Sequence, residues 1–335
     1  MPNLTIKDIA RISGCSVSTI SRVINDRPDV RPETKEHVLK VMREAGFVPN
    51  TNARQLKIQQ SRSLVFVVKG TRNLFFSDFL VQLQRVATLY GYNGIVSYLD
   101  ENANEIDAAE KILREIKPKG MIFLGGSVAN FKKGFANITV PSVLTTLVSD
   151  ELDFPNLSMV GVDDRAAAYT AVDYLIQQGH RKIAVLGGPV TSYPSVMRRE
   201  GAQQAMQDAG ILFSDKLYGL SNYDFESAYH AVNSLLARRA DFTALFAMSD
   251  VIALGAIRAL ASAGLRVPED VSVIGFDGIT MSRYCVPVLT TVVQPSEQIS
   301  LQSIELLVRQ IEHGAPAQTI TLQPELQQGE SVRAI

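Results

Sequence analysis

Residues 5–25 read TIKDIARISGCSVSTISRVIN, and this stretch decides the architecture of the amino-terminal end. Ile6, Ile9 and Ala10 recur at i, i+3 and i+4, one apolar stripe of a helix. Thr5 stands where a capping residue belongs, with Asp8 three positions on, near the helix's positive end. Ser13-Gly14-Cys15 interrupts the pattern. Ser16 can cap a second helix, in which Ile20, Val23 and Ile24 repeat the apolar spacing. At about 100° per residue, Ser18, Ser21, Arg22 and Asn25 share the opposite arc, with Val17 at its edge. Two short helices about a glycine turn, one carrying small polar groups and an arginine, make a helix-turn-helix whose second helix can enter a DNA major groove. Serine and asparagine can bond base edges or phosphates, arginine can grip guanine, and valine can touch a thymine methyl. The plainer alternative is a small helical bundle with a solvated face.

A third helix is expected from Pro32 and Glu33, with Val38, Val41 and Met42 as its stripe and Gly46 as its stop. Three short helices bury little surface, which suits a tethered module. Residues 50–61 follow, polar and free of glycine and proline. They could form two or three helical turns, too few to persist alone in water. Ala53 and Leu56 share a face there, beside Arg54 and Lys57. A leucine so placed can wedge between minor-groove base steps; the alternative is a plain linker.

Charge is unevenly distributed. Residues 1–60 hold ten Lys/Arg and six Asp/Glu, a net of +4; the remaining 275 hold 23 and 28, a net of −5. A basic front on an acidic body favours phosphate, with binding that weakens steeply in salt. Cys15 and Cys285 are too few for a disulfide framework, no run of eighteen apolar residues occurs, and Met1-Pro2-Asn3 opens no secretory signal, so a cytoplasmic location and no membrane partner are expected.

Beyond residue 62 apolar strands alternate with amphipathic helices. Strands are expected at 63–68, 94–99, 120–124 and 140–145, then a second series from about Ser158, with strands at 182–186, 244–248 and 271–275; Gln294 lies on the crossover after Leu289-Thr-Thr-Val-Val293. Helices are expected at 78–90, 105–116, 165–178, 196–209, 226–238 and 251–263. This is the text of parallel sheets covered on both faces, arranged as two α/β lobes with a cleft at the carboxyl ends of the strands. Polar residues at those ends are the ligand candidates: Asn73, Phe75, Thr146, Arg198, Tyr223, Ser249, Asp277 and Gln294. Guanidinium and carboxylate suit a polyhydroxyl ligand, and Tyr223 offers a ring face. Each also has a structural alternative. Arg198 could pair with a surface carboxylate, Asp277 could close a turn, Ser249 could cap the next helix, and Tyr223 could edge the core. His180 reads as a turn residue, and His37 as a solvated helix residue.

The residues 5–25, followed by Pro49-Asn50 and Ala53-Arg54-Gln55-Leu56, resemble the lac/gal repressor family, and the likeness continues along the chain. That family implies an all-α helix-turn-helix headpiece (1–49), a hinge helix (50–61) and a two-lobed α/β core like periplasmic binding proteins (62–335). The N-lobe would comprise about 62–160 and 294–320, the C-lobe about 161–291 and 321–335. The resemblance implies that Val17, Ser18 and Arg22 read bases, that Ser16, Thr19, Ser21 and Asn25 hold phosphates or nearby groups, and that Leu56 is the minor-groove lever. Thr5, Asn50, Ala53 and Lys57 belong to the same DNA-facing set. It also implies that Arg198 and Asp277 anchor a small molecule. Arg31, Leu74, Thr146 and Ser249 depart from the family's usual residues.

The expectation is a cytoplasmic, homodimeric transcription regulator of an approximately palindromic double-stranded operator, responsive to a sugar or sugar derivative. The chain's end lacks the family's tetramer-forming leucine repeat. The alternatives are a sugar-binding transport or sensor protein without a DNA role, and a sugar-modifying enzyme. No dinucleotide glycine motif, phosphate loop, metal-spaced Cys/His set or Gly-x-Ser-x-Gly elbow occurs, so no cofactor, metal or catalytic residue is expected.

Overall fold

The computed structural model describes residues 4–24, 27–47, 62–70, 74–189 and 191–335. It divides into two compact units, 1–59 and 60–335. In the first, α1 (Ile6–Ser13), α2 (Val17–Ile24) and α3 (Pro32–Glu44) form the expected three-helix unit. Both caps form as the sequence implies. The Thr5 amide and hydroxyl donate to the Asp8 carboxylate at 2.9 and 2.7 Å, and the Thr19 amide donates to Ser16 Oγ at 3.1 Å. Those bonds hold the Asp8 carboxyl below its ordinary value. Gly14 ends α1 at φ +68°, a left-handed conformation that costs glycine nothing. Ile9, Ala10, Ile20, Val23, Val38 and Met42 form the buried core. His37 is not merely solvated as expected: its Nε2 donates to the Ser13 carbonyl at 3.1 Å, tying α3 to the end of α1.

The second unit holds two six-stranded sheets. The first contains β1 (Ser63–Lys69), β2 (Asn93–Leu99), β3 (Gly120–Leu124), β4 (Ser142–Thr145), β5 (Leu157–Val162) and β11 (Thr319–Leu322). Its order is β11-β5-β4-β3-β1-β2, all parallel. The second contains β6 (Ile183–Gly187), β7 (Tyr218–Leu220), β8 (Ala244–Ala247), β9 (Ser272–Asp277), β10 (Thr290–Val293) and β12 (Glu325–Gln327). Its order is β12-β10-β9-β8-β6-β7, and only the β12–β10 pairing is antiparallel among the described residues. The strand near Ser158, expected to open the second series, is β5 and pairs with β4 from Ser142↔Leu157 onward. The chain changes sheet only after it. An apolar strand does not encode its partner, so this boundary was not legible in the pattern.

Alternation along β1 shows why both faces are covered. Leu64, Phe66 and Val68 face one cluster, with Phe79 and Leu83 of α4 (Leu74–Leu89) and Ile304 and Leu307 of α11 (Ser296–His313). Val65 and Val67 face the other, with Ile106 and Ala109 of α5 (Glu105–Glu115) and Phe131 of α6 (Val128–Gly134). Each fully buried phenylalanine contributes about 1.5–3 kcal/mol. The second sheet is flanked by α7 (Asp164–Gln177), α8 (Tyr193–Asp208), α9 (Phe225–Ala237) and α10 (Asp250–Ser262). Sequence reading missed α11 because its buried face includes Ser300, Ser303 and Gln310, which dilute the apolar stripe. His180 does sit in the turn before β6, but it is buried. Its Nε2 donates to the Arg333 carbonyl at 3.1 Å and its Nδ1 pairs with Thr243 Oγ1 at 2.9 Å. Burial lowers its pKa, which favours the neutral ring.

Candidate functional sites: a polar helix face and an interior cleft

The face of α2 is as solvated as its sequence implied. Val17, Ser18 and Arg22 are exposed. Ser16 Oγ lies 2.7 Å from Ser18 Oγ and 2.8 Å from Thr19 Oγ1, a chain of hydroxyls along the first turn. Arg22 meets Asp29 at 3.5 Å, with both side chains about 60 % exposed (61 and 58 %). An ion pair so open to water holds the guanidinium weakly and leaves it able to take another partner. Ser21, Arg22, Arg27, Pro28 and Asp29 line a hollow of about 470 Å³ beside it. Asn25, Asn50, Ala53, Leu56 and Lys57 lie outside the described residues, as does Asn73 in the core unit.

The core unit contains a cavity of about 520 Å³ with Phe75, Thr146, Arg198, Tyr223, Asp277 and Gln294 on its walls. Six of the eight expected ligand residues therefore meet there, drawn from both sheets. Arg198 on α8 is the hub. Its Nε donates to Asp164 Oδ1 at 2.7 Å, its Nη1 donates to the Met248 carbonyl and lies 3.6 Å from Asp277 Oδ1, and its plane sits 3.7 Å from the Phe276 ring. The arginine is only 4 % exposed, so the surface ion pair allowed by the sequence is not what forms. Its partners are buried carboxylates, and they raise its pKa against the opposing cost of burial.

Asp277, at the end of β9, accepts from Gln294 Nε2 at 2.8 Å. Burial pushes its pKa up to about 7, while Arg198 and Gln294 pull it down. Behind it Asp250 is fully buried; it accepts from Thr291 Oγ1 and from the Ile279 amide at 2.8 Å. Burial and the neighbouring Asp277 raise the Asp250 carboxyl well above its ordinary value. Asp164 is also raised, by burial. Two buried carboxyls, Asp164 and Asp277, thus share one guanidinium, with Asp250 buried behind them, an arrangement that costs stability unless a ligand or proton balances it.

Backbone strain collects at the same place. Thr146, Tyr223 and Asp277 have φ of +74°, +57° and +110°, conformations that side chains other than glycine rarely adopt. Tyr223 Oη is 2.6 Å from Ser195 Oγ, and Gly188 leaves the room that the tyrosine ring and Ser195 Oγ occupy. Gln294 Oε1 is buried without a hydrogen-bond partner.

Ser249 is a correction. It does not line the cavity; it is fully buried and caps α10, accepting from the Ile252 amide at 3.2 Å. Sequence reading also overlooked the wall from the first sheet: Lys69, Glu101, Asn102 and Asn130. Lys69 Nζ donates to Glu105 Oε2 at 2.8 Å, and Glu105 also accepts from the Ser127 amide at 2.6 Å and Asn130 Nδ2 at 3.0 Å. The signal was present, since Lys69 ends β1 and Glu101-Asn102 follow β2, both at carboxyl ends of parallel strands. Across the cleft, Thr280 donates to Asp78 of α4 through its hydroxyl at 2.8 Å and its amide at 3.3 Å, linking elements packed on different sheets.

A helix-turn-helix unit joined to a two-sheet α/β core with an interior ligand cleft defines a class: bacterial DNA-binding regulators with a sensory domain. Residues 5–50 match the family "Bacterial regulatory proteins, lacI family", and residues 172–332 match a "Periplasmic binding protein-like domain". The chain is 37 % identical to the HTH-type transcriptional regulator MalR of Clostridium butyricum over 98 % of its length and 99 % of the relative's. It is 30 % identical to the HTH-type transcriptional repressor PurR of Histophilus somni, covering 99 % of each. Among solved structures it matches the transcriptional regulator CelR in complex with cellobiose (27 % identity, TM-score 0.73, 98 and 99 % covered). It shares its fold with the lac repressor dimer bound to operator and the anti-inducer ONPF (24 % identity, TM-score 0.81, 99 % of each covered).

The chain belongs to the lacI family of bacterial regulatory proteins. It is a DNA-binding transcription regulator controlled by a small-molecule effector. No helix among the described residues is long and apolar enough to cross a membrane.

Proposed function

We propose that this regulator acts in the cytoplasm as a homodimer on an approximately palindromic operator, and that a sugar or sugar derivative in the interior cleft sets its operator affinity. Val17, Ser18 and Arg22 read bases; Ser16, Thr19, Ser21, Asn25 and Thr5 hold the backbone. Asn50, Ala53 and Lys57 seat the hinge segment, and Leu56 opens a central minor-groove step. Arg198 and Asp277 anchor the effector, with Phe75, Thr146, Tyr223, Gln294 and Asn73 around it.

The observation that carries the sensory half is the buried Arg198–Asp164–Asp277 cluster on the wall of a 520 Å³ cavity. Charges are not desolvated in this way for stability alone. Dimerisation is supported by an apolar hollow of about 710 Å³ over α9 and α10, where Phe225, Tyr229, Leu254, Met281 and Tyr284 stand together. Tyr284 is 80 % exposed there, an apolar surface that a second copy of the chain would cover. The Asp78–Thr280 bridge across the cleft supports closure as the switching motion. The ligand acts through its different affinity for the two closure states.

The test is fluorescence anisotropy of the purified chain on an inverted-repeat duplex and a random duplex, with and without a panel of sugars. Preference for the inverted repeat, changed by at least one sugar, is expected. Equal affinity for both duplexes under every condition rejects the proposal. Leu56→Ala is expected to weaken inverted-repeat binding far more than random-duplex binding.

A further inference from the structure

The strands of the first sheet point their carboxyl ends at the cleft. Their amino ends form the opposite edge, and that edge carries a cluster of cations. Backbone hydrogen bonds set the order along it. The Asn93 amide donates to the Arg62 carbonyl at 2.9 Å, and the Lys119 amide donates to the Ser63 carbonyl at 2.8 Å. Arg62 and Lys119 therefore enter adjacent parallel strands, β1 and β3, whose backbones run about 4.8 Å apart. Lys117 stands two residues before Lys119, past the end of α5.

All three side chains are exposed. Among the described residues, none of them has a carboxylate within 4.0 Å. Two nearby acids are engaged elsewhere. Glu110 lies 3.7 Å from Arg114 and accepts from Asn137 Nδ2 at 2.7 Å, and Glu312 accepts from the Tyr92 hydroxyl at 3.2 Å. With Arg114 and Glu115 counted, four cations stand against three carboxylates, a positive edge on a core of net −5. Arg62 is also held in place, its guanidinium 5.8 Å from the centre of the Tyr92 ring.

Chain connectivity sets the partner. The headpiece joins the core just ahead of β1, which starts at Ser63, so this edge is where the two units are tethered. Arg62 is six residues on from Leu56. Six residues span at most about 20 Å when fully extended, and about 9 Å as a helix. A leucine in the minor groove therefore keeps Arg62 within that reach of a duplex carrying one negative charge per roughly 1.7 Å. An acidic core tethered so closely is repelled unless the side it presents is positive.

We propose that Arg62, Lys117 and Lys119 make a second DNA contact, from the core to operator phosphates beside the step that Leu56 opens. The contact rests on the operator-binding reading above. It reads no bases, since it meets only the backbone, and it adds affinity that salt removes.

Fluorescence anisotropy of the full chain on the inverted-repeat duplex, from about 0.05 to 0.3 M salt, tests this. Each phosphate contact contributes about 0.9 to the slope of log affinity against log salt, so a dimer losing three per protomer loses up to about 5. Arg62→Gln/Lys117→Gln/Lys119→Gln is expected to flatten the slope by about 2 or more and to weaken Kd about tenfold or more at 0.1 M salt. Its preference among single-substitution operators and its effector affinity should match the wild type. Lys117→Gln/Lys119→Gln, which leaves the entry of the chain untouched, should lose about two-thirds of the same slope, and Lys117→Arg/Lys119→Arg should lose none. Uncharged methylphosphonates at the central phosphates should cost the wild type more than the triple variant. The proposal is overturned if the triple variant keeps the wild-type slope, whether or not its Kd changes, or if methylphosphonates cost both proteins equally. A wild type without preference for the inverted repeat brings down the operator-binding reading itself. A wild type with that preference, matched in slope by both glutamine variants, brings down only the core contact.

Discussion

The two ends of this regulator place their working residues in opposite environments. On α2, Val17, Ser18 and Arg22 stand in water, and the packing beneath them is six buried apolar residues of a small helical unit. In the core, Arg198, Asp277 and Gln294 are each at most 4 % exposed and bonded to one another or to buried neighbours. The headpiece side chains can therefore change without disturbing the fold. The core side chains are part of the fold, and changing one leaves a partner stranded. On the proposed roles, DNA reading is separable from stability and effector sensing is not.

Arg198→Ala should show the largest effect. It leaves Asp164 and Asp277 buried without their cation, a loss of about 3–5 kcal/mol in the core's urea unfolding, with the effector response abolished. Retention of core stability within about 0.5 kcal/mol would falsify the structural half of the contrast. Ile20→Ala tests the other unit where it is packed. Removing a fully buried isoleucine should cost about 2–5 kcal/mol, enough to unfold a unit of this size and abolish DNA binding while effector affinity stays within twofold. Arg22→Ala should leave the melting temperature alone and relax preference at one base pair per half-site by about 1–3 kcal/mol, read by binding to a set of single-substitution operators. An undiminished preference would remove Arg22 from the reading set.

The smallest effect is pH dependence. Asp277 has a folded pKa of about 7, above its ordinary 3.8, so the folded core holds a proton that the unfolded chain has already lost. Stability should therefore fall as pH rises through 7. The lowered pKa of His180 acts in the opposite sense, but its contribution is complete above its unfolded value of 6.5, so from pH 6.5 to 8 the slope comes from Asp277 together with the raised carboxyls of Asp250 and Asp164. Calorimetry of the core across that window should show a declining midpoint in the wild type and a flatter profile in Asp277→Asn. Arg198, Asp164, Asp250 and Tyr223 surround the group and are common to both proteins.

Much of the fold could be read from local signals. Pro32, Gly14 and the Thr5–Asp8 pair mark helix ends through bonds made within a few residues, and α5 and α10 begin within one residue of where periodicity put them. The rule that parallel sheets bind at carboxyl ends of strands led to six residues that line one cavity. Ser249 satisfied the same rule but does not line the cavity, and its oxygen accepts from the Ile252 amide. Lys69 and Glu101 also satisfied it and were passed over, because the expected strand stopped at Val68 and the end of β2 supplied no candidate. The helix α11 stayed hidden behind its buried serines.

By itself the sequence determined the headpiece, the two α/β series, the excess of positive charge at the front and the family. All of these depend on neighbours within a turn or a strand, or on composition. Tertiary structure alone decided that β5 lies between β4 and β11 in the first sheet, that Arg198 is clamped between Asp164 and Asp277, and that Gln294 Oε1 is buried without a hydrogen-bond partner. Those outcomes depend on which distant groups meet away from water, where a charge or lone pair must find its partner inside the protein or wait for a ligand.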